Sequence, residues 1–368
     1  MKEIKFSYTR ERMFPGYDGK FCKVCPQITY DGEKTAFLTY QMLLLTGSDV
    51  FYDTYIAKST DGGKTFGEPR KRKNMQWFED GIRMAPFGWL LYNKHHKRWF
   101  GLGQINKYAN DDEPIVINEI GVTEPMQFSF DADEGDWSEV RKLDFPFDAV
   151  SAVPMPQIVE YDNGDILVPF YYTTEDNNYA AIITVRYAFD GEWFQMVDYG
   201  IPIMGNSFEN RGLLEPALTE LNGKFYLTLR SDYMGVFAVS DDGFNFSEPR
   251  EWKWDNGEEL GNYNTMQKWI RNKDGLFLAY TRRAAHNDHV FRHRAPIFMA
   301  RFDEENMCLV RSSEIILVPE LGTRLGNFTI TETMDNEAWL VTAEWMQPAG
   351  CEKYGSDNSI WRASVIWE

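Results

Sequence analysis

Short apolar runs, each ended by a cluster of Asp, Asn and Gly, recur along the whole chain, and no segment sustains the 3.6-residue apolar period of a long amphipathic helix. The pattern predicts an all-β protein. One unit repeats: an apolar strand, a polar turn, then a second strand of alternating apolar residues. It runs from Pro26–Ile28 through Tyr30–Gly32 to Phe37–Tyr40, and returns at Gln157–Val168, Ala217–Leu227, Lys268–Leu278 and Thr329–Leu340. A weaker copy leads from Trp89–Tyr92 through His95 and His96 to Trp99–Leu102. Six openings at intervals of roughly sixty residues predict a six-bladed β-propeller of four-stranded antiparallel blades, one domain over residues 1–368. A chain of this length exceeds the usual single hydrophobic core, which a repetitive architecture accommodates.

Each blade then needs an outer hairpin, and a second repeat supplies two of them. Ser59-Thr60-Asp61-Gly62-Gly63-Lys64-Thr65-Phe66 precedes Gly67-Glu68-Pro69-Arg70, and a copy one residue shorter, Ser240-Asp241-Asp242-Gly243-Phe244-Asn245-Phe246, precedes Ser247-Glu248-Pro249-Arg250. Ser and Asp bond the turn backbone, glycine accepts a positive φ, and the aromatic tucks under the hairpin. These turns close the outer hairpins of the first and fourth blades, with degenerate versions at Asp131–Trp137 and Phe189–Trp193.

Composition narrows the partners. The formal net charge of −18 argues against nucleic acid or an anionic membrane, and admits an anionic sugar only where arginines converge. The basic run Arg70–Lys73 reads as a solvated edge. Aromatics make up 15% of the chain, which suits strand packing first and sugar stacking second, with Trp77, Trp89 and Trp269 as stacking candidates. Four cysteines, including Cys22 and Cys25 in an apparent strand, have neither a disulfide-framework density nor a zinc spacing, so no metal and no cofactor are expected. The first residues lack an apolar run of signal-peptide length and no later run approaches a membrane span, so the expectation is a soluble, cytoplasmic protein.

With the two turns in view, the chain resembles the sialidase-like (neuraminidase superfamily) propellers, whose Asp-box or BNR repeat is Ser-x-Asp-x-Gly-x-Thr-Trp/Phe. The resemblance implies a glycoside hydrolase with an arginine triad for the sugar carboxylate, a Tyr-Glu nucleophile pair and an Asp acid/base. Leu214-Glu215-Pro216-Ala217 through Leu229-Arg230 is similar to the segment in which Glu215 partners the tyrosine and Arg230 joins the triad. Arg294 corresponds to a second triad arginine, with Arg282, Arg283 and Arg292 as competitors. Asp49, or alternatively Asp53, falls where the acid/base stands. Two positions depart: Lys23 lies where the first arginine is expected, and Phe328 where the tyrosine opens the sixth blade, with Tyr263 and Tyr354 as substitutes from other loops. Both departures argue against exo-sialidase activity proper.

Other residues carry chemistry of their own. His286, His289 and His293 fall within eight residues and suggest a loop that delivers a general acid or base, with His286 and His289 as the catalytic candidates. Arg83 and Arg211, each beside an acid, join Lys23, Arg230 and Arg294 as substrate-binding candidates, and Asp49 and Glu215 complete the catalytic set. The expected function is hydrolysis at a terminal, acidic sugar of a glycan. The alternatives are a non-catalytic glycan-binding propeller and a histidine-dependent glycosidase or polysaccharide lyase on the same scaffold.

Overall fold

The computed structural model describes the chain except for residues 1, 46–49, 74–76, 80, 110–122 and 334–335, and the side chains of 77 and 78. Six antiparallel sheets follow one another as the blades of a propeller, with 4-stranded first, fourth and sixth blades. The first blade runs Phe21–Tyr30, Ala36–Leu44, Phe51–Ser59 and Arg70–Lys71, and the fourth Leu214–Leu221, Lys224–Arg230, Gly235–Ser240 and Arg250–Glu251. The second adds Trp77–Glu79 beside its first long strand, Ile82–Asn93. In the third the innermost position is shared by Ser151–Pro154 and Val159–Glu160, both paired with Ile166–Thr174. In the fifth the outermost is shared by Cys308–Leu309 and Ile315–Val318, both paired with Ile297–Asp303.

The sixth blade closes the ring by a pairing the sequence pattern does not announce. Its own strands are Thr329–Glu332, Glu337–Ala343 and Ile360–Trp367, and its fourth is the N-terminal Phe6–Met13, in register from Phe6 opposite Trp367 to Met13 opposite Ile360. Between blades the core is built from facing side chains. Trp252, Trp269, Tyr226 and Phe302 meet edge to face at the junction of the fourth and fifth blades. Trp89 and Trp269 are therefore core residues, at 6% and 0% exposure, rather than sugar platforms. Cys22 and Cys25 pack in a cluster with Phe87 and Trp345, and burial pushes the Cys22 thiol up to about 12.

The repeated turns join the third and fourth strands of the first and fourth blades. In the first, Ser59 Oγ donates to Asp61 Oδ1 at 2.8 Å and accepts from Gly63 N at 2.9 Å, while Asp61 accepts from the Thr65 backbone and hydroxyl at 3.0 and 2.7 Å. The shorter copy closes the same ring, because Asn245 replaces the threonine and donates from N and Nδ2 to Asp242 at 2.7 and 2.6 Å. Phe66 and Phe246 turn into the cores beneath. The Asp131 and Asp190 turns cap the same position in the second and third blades, and Asp303 does so in the fifth. The basic run after the first turn is only in part a solvated edge. Arg72 is 8% exposed, lies over the Trp137 ring at 4.4 Å and pairs with Asp136 at 3.5 Å, tying the first blade to the second.

Among the described residues no helix is long and apolar enough to cross a membrane.

Candidate functional site

In an antiparallel blade the first residues of the inner strand and the last of the second strand share one end. Leu214 pairs with Arg230, so Glu215 and Arg230 stand together at that end. The ladder is irregular between Leu214 and Ala217, and Glu215 holds a φ of 45°. A non-glycine residue accepts that backbone only where its surroundings impose it. Here Arg230 Nη1 meets Glu215 Oε1 at 2.6 Å.

Around this pair the segments entering the fourth, fifth and sixth blades, and the loop between the second and third strands of the fifth, bring in further cations. Asn264, itself at a φ of 48°, is the hub. Its side-chain Oδ1 accepts from Arg230 Nη2 at 2.6 Å, Arg211 Nη2 at 3.3 Å and Arg294 Nη2 at 3.5 Å. Its backbone oxygen accepts from Arg294 Nε at 3.1 Å and again from Nη2. Arg294 is 4% exposed, and burial, then the charges of Arg230 and Arg324, pull its guanidinium well below the ordinary arginine range. Burial alone would raise Glu215, but Arg230, Arg294 and Lys268 together hold it below the usual carboxylate range. Lys268 opens the innermost strand of the fifth blade with 1% exposure, its Nζ has no hydrogen-bond partner, and burial draws it down to about 8 against the pull of Glu215. Glu215 Oε2 also lacks a hydrogen-bond donor. Asp232, gripped by Arg211 with Nε at 3.1 Å from Oδ2, is likewise held low, its own burial opposing.

The candidate residues from the sequence divide accordingly. Glu215, Arg230, Arg294 and Arg211 come together. Lys23 does not share their contacts: its ammonium donates to Gly16 O at 2.9 Å and Asn358 O at 3.1 Å, so a structural bond between the first and sixth blades replaces the expected substrate contact. Arg83 is also spent in packing, 2% exposed, donating to Phe51 O at 3.1 Å between the rings of Tyr52 and Tyr108. Asp49 lies outside the described residues. Its alternative, Asp53, pairs with Lys71 at 2.7 Å. His286 is exposed at a φ of 55°, and His289 pairs with Glu320 at 2.8 Å and packs on Tyr354. His293 is the member of the trio that reaches Tyr263, at 2.6 Å. Phe328 is wholly buried in the core, so no hydroxyl stands at its place.

Sequence reasoning missed Asn264, Lys268 and Arg324. Arg324 stacks on Trp345 at 3.4 Å and lies in the irregular segment entering the sixth blade, where no strand period marks it. Lys268 was visible as a lone lysine opening an apolar strand. Among the described residues no group of His, Cys, Asp and Glu is arranged to hold a metal.

No family model and no curated protein matches the chain. Solved structures do match in fold. A protein of unknown function from Dyadobacter fermentans is 15% identical at a TM-score of 0.67, covering 98% of this chain and 99% of that one. A Trypanosoma rangeli sialidase, in complex with 2,3-difluorosialic acid, is 11% identical at a TM-score of 0.63, covering 98% of this chain and 59% of its own. The NanB sialidase of Streptococcus pneumoniae is 10% identical at 0.60, covering 96% and 70%. The chain thus spans well under two thirds of the T. rangeli sialidase, and the likeness is one of fold.

Proposed function

We propose that this chain is a carbohydrate-active enzyme that grips the carboxylate of an acidic sugar with Arg230, Arg294 and Arg324 and cleaves the adjoining glycosidic bond. The observation that carries this reading is the convergence of the Arg211, Arg230 and Arg294 guanidiniums on Asn264, with Arg294 only 4% exposed and its charge disfavoured by burial and by Arg230, Arg324 and Arg292 against Glu215. Like charges packed this way are costly unless an anion joins them, and a planar carboxylate matches the guanidinium fork. In a chain of net charge −18, such a concentration of arginines is a local reversal of field. The sialidase-like fold and the two Asp-box-like turns support glycan chemistry by analogy.

The test is binding of free glucuronate and N-acetylneuraminate against neutral glucose and galactose, by calorimetry. The acids are expected to bind and the neutral sugars not, and Arg294→Met should weaken the acids about tenfold or more. Equal binding of acid and neutral sugars overturns the reading. A second reading, a glycan-binding propeller without catalysis, is favoured by the buried phenylalanine at position 328. Acid-selective binding with no cleavage of any glycan or aryl glycoside would establish it.

A further inference from the structure

The cluster that neither the turns nor the arginine grip explains sits beside that grip. Tyr263 Oη and His293 Nδ1 are 2.6 Å apart, and His293 Nε2 and Asp288 Oδ1 are 3.2 Å apart. A carboxylate only accepts, so Nε2 carries the ring proton, Nδ1 is left as acceptor, and the tyrosine hydroxyl donates to it. One tautomer serves both bonds. This is the arrangement that activates a weak acid: a base within hydrogen-bond reach, oriented in turn by a third group. Arg283 lies over the Tyr263 ring at 3.8 Å and presents positive charge to it.

Covalent sequence ties this relay to the grip twice. Tyr263 precedes Asn264, the acceptor for Arg230 and Arg294, and His293 precedes Arg294 itself. The backbone at Asn264, Arg292 and His293 holds φ of 48°, 55° and 52°, conformations that concentrate where a structure over-determines a functional loop. The His293 side chain is 24% exposed and so open to water, while Arg294 beside it is buried.

We infer, on the premise that the site takes an acidic sugar, that Tyr263 is its catalytic proton-transfer residue and that the bond is broken by β-elimination at a 4-O-substituted uronate. Hydrolysis asks for a carboxylic acid that keeps its proton to give to the leaving oxygen. The two carboxyl groups described at the grip, Glu215 and Asp232, are instead locked to Arg230 and Arg211 as anions. Elimination asks for what is present: cations to neutralise the uronate carboxylate, which makes the proton on the adjacent carbon C5 acidic, and a base beside them. Tyr263 passes its proton to His293 and, as phenolate, takes the C5 proton. The C5–H electron pair becomes the C4=C5 double bond as the C4–O bond breaks. The departing oxygen takes the proton from Tyr263, and His293 returns its proton to the phenolate. No water, oxidant or reductant is consumed. His293 and Asp288 act through Tyr263 as positioning residues.

The experiment incubates the protein with polygalacturonate, alginate and hyaluronan, following together the ultraviolet absorbance of the conjugated unsaturated uronate and the release of reducing ends. At least one polymer is expected to yield both in equal amounts. Tyr263→Phe should lower the rate about 100-fold with glucuronate binding unchanged. His293→Gly, which suits the positive φ, should lose a similar factor and recover in part with added imidazole, a rescue that a merely structural histidine would not show. Asp288→Asn should lower kcat about tenfold at constant KM. Reducing ends without the absorbing product, absorbing product undiminished in Tyr263→Phe, or no product from all three polymers overturns the inference. If glucuronate still binds and Arg294→Met abolishes that binding, the relay alone has failed. If no acidic sugar binds, the premise beneath it has failed.

Discussion

At the scale of single residues, Lys268 makes the sharpest statement. Its ammonium is buried, lacks a hydrogen bond and is drawn down to about 8 from the ordinary 10.5. A lysine lowered on folding binds its proton more weakly in the native state, so the unfolded chain takes up more protons between those two values and stability rises with pH there. Below about pH 8 the cost of the buried charge is present in full. Lys268→Met should remove the rise, which is on the order of 3 kcal/mol, and urea unfolding of both proteins below pH 8 and above pH 10.5 measures it. Glu215 has the opposite sign: held below its ordinary range, it contributes stability above the unfolded pKa that is lost as pH falls through the folded one. Glu215 and Arg230 were readable in sequence because one hairpin register brings the start of one strand to the end of the next. Asn264 and Arg324 were not, because they lie in connections between blades, and only the packing of one blade on another decides where such a residue ends.

At the scale of elements, the Ser-Asp turns were the most legible part of the chain, and the structure gives the reason that the shorter copy still works. Losing one residue moves the side-chain donor from Thr65 to Asn245 without opening the ring of bonds. The turns also fix blade spacing. Gly63 combines a φ of 79° with a position where an added Cβ would meet Trp339 of the sixth blade at 2.5 Å. Gly63→Ala should therefore cost more than the ~1 kcal/mol of a solvent-exposed left-handed glycine, because Trp339 must move as well. Ser59→Ala deletes the acceptor for Gly63 N and should cost about 1–3 kcal/mol. Thermal unfolding of both variants checks this, with the Gly63 change expected to be the larger. The histidine loop shows the reverse case. Its clustering marked it as unusual, but sequence spacing could not say that His293, rather than His286 or His289, meets a tyrosine from the segment that enters the same blade.

At the scale of the whole molecule, the ring depends on a strand whose sequence gives little warning of its role. Phe6–Met13 is exposed along most of its length, as an outermost strand is, and its partner is more than 340 residues away, so neither apolar period nor local turn predicts the pairing. Closure is nonetheless well anchored. Arg12 bonds Glu344 and Asp357 at 3.0 and 2.6 Å, and Arg10 Nε bonds Leu317 O at 2.8 Å in the fifth blade. Phe6 sits between Phe277 of the fifth blade and Trp367 of the sixth. Removing residues 1–13 leaves the Ile360–Trp367 strand as an open edge and Glu344, 0% exposed, without its arginine. An open edge recruits other chains, and a buried carboxylate without its cation costs about 3–5 kcal/mol. Because Glu215 belongs to the fourth blade, Arg294 to a loop of the fifth and Arg324 to the segment entering the sixth, loosening the seam also loosens the geometry of the arginine grip. The truncated chain should aggregate at concentrations where the full chain does not, seen by light scattering, and its soluble fraction should bind glucuronate more weakly. Supplying residues 2–13 as a separate peptide should restore both properties, since the lost interactions are confined to one strand. Failure of the peptide to restore them would mean that the terminal strand acts during folding rather than in holding the closed ring.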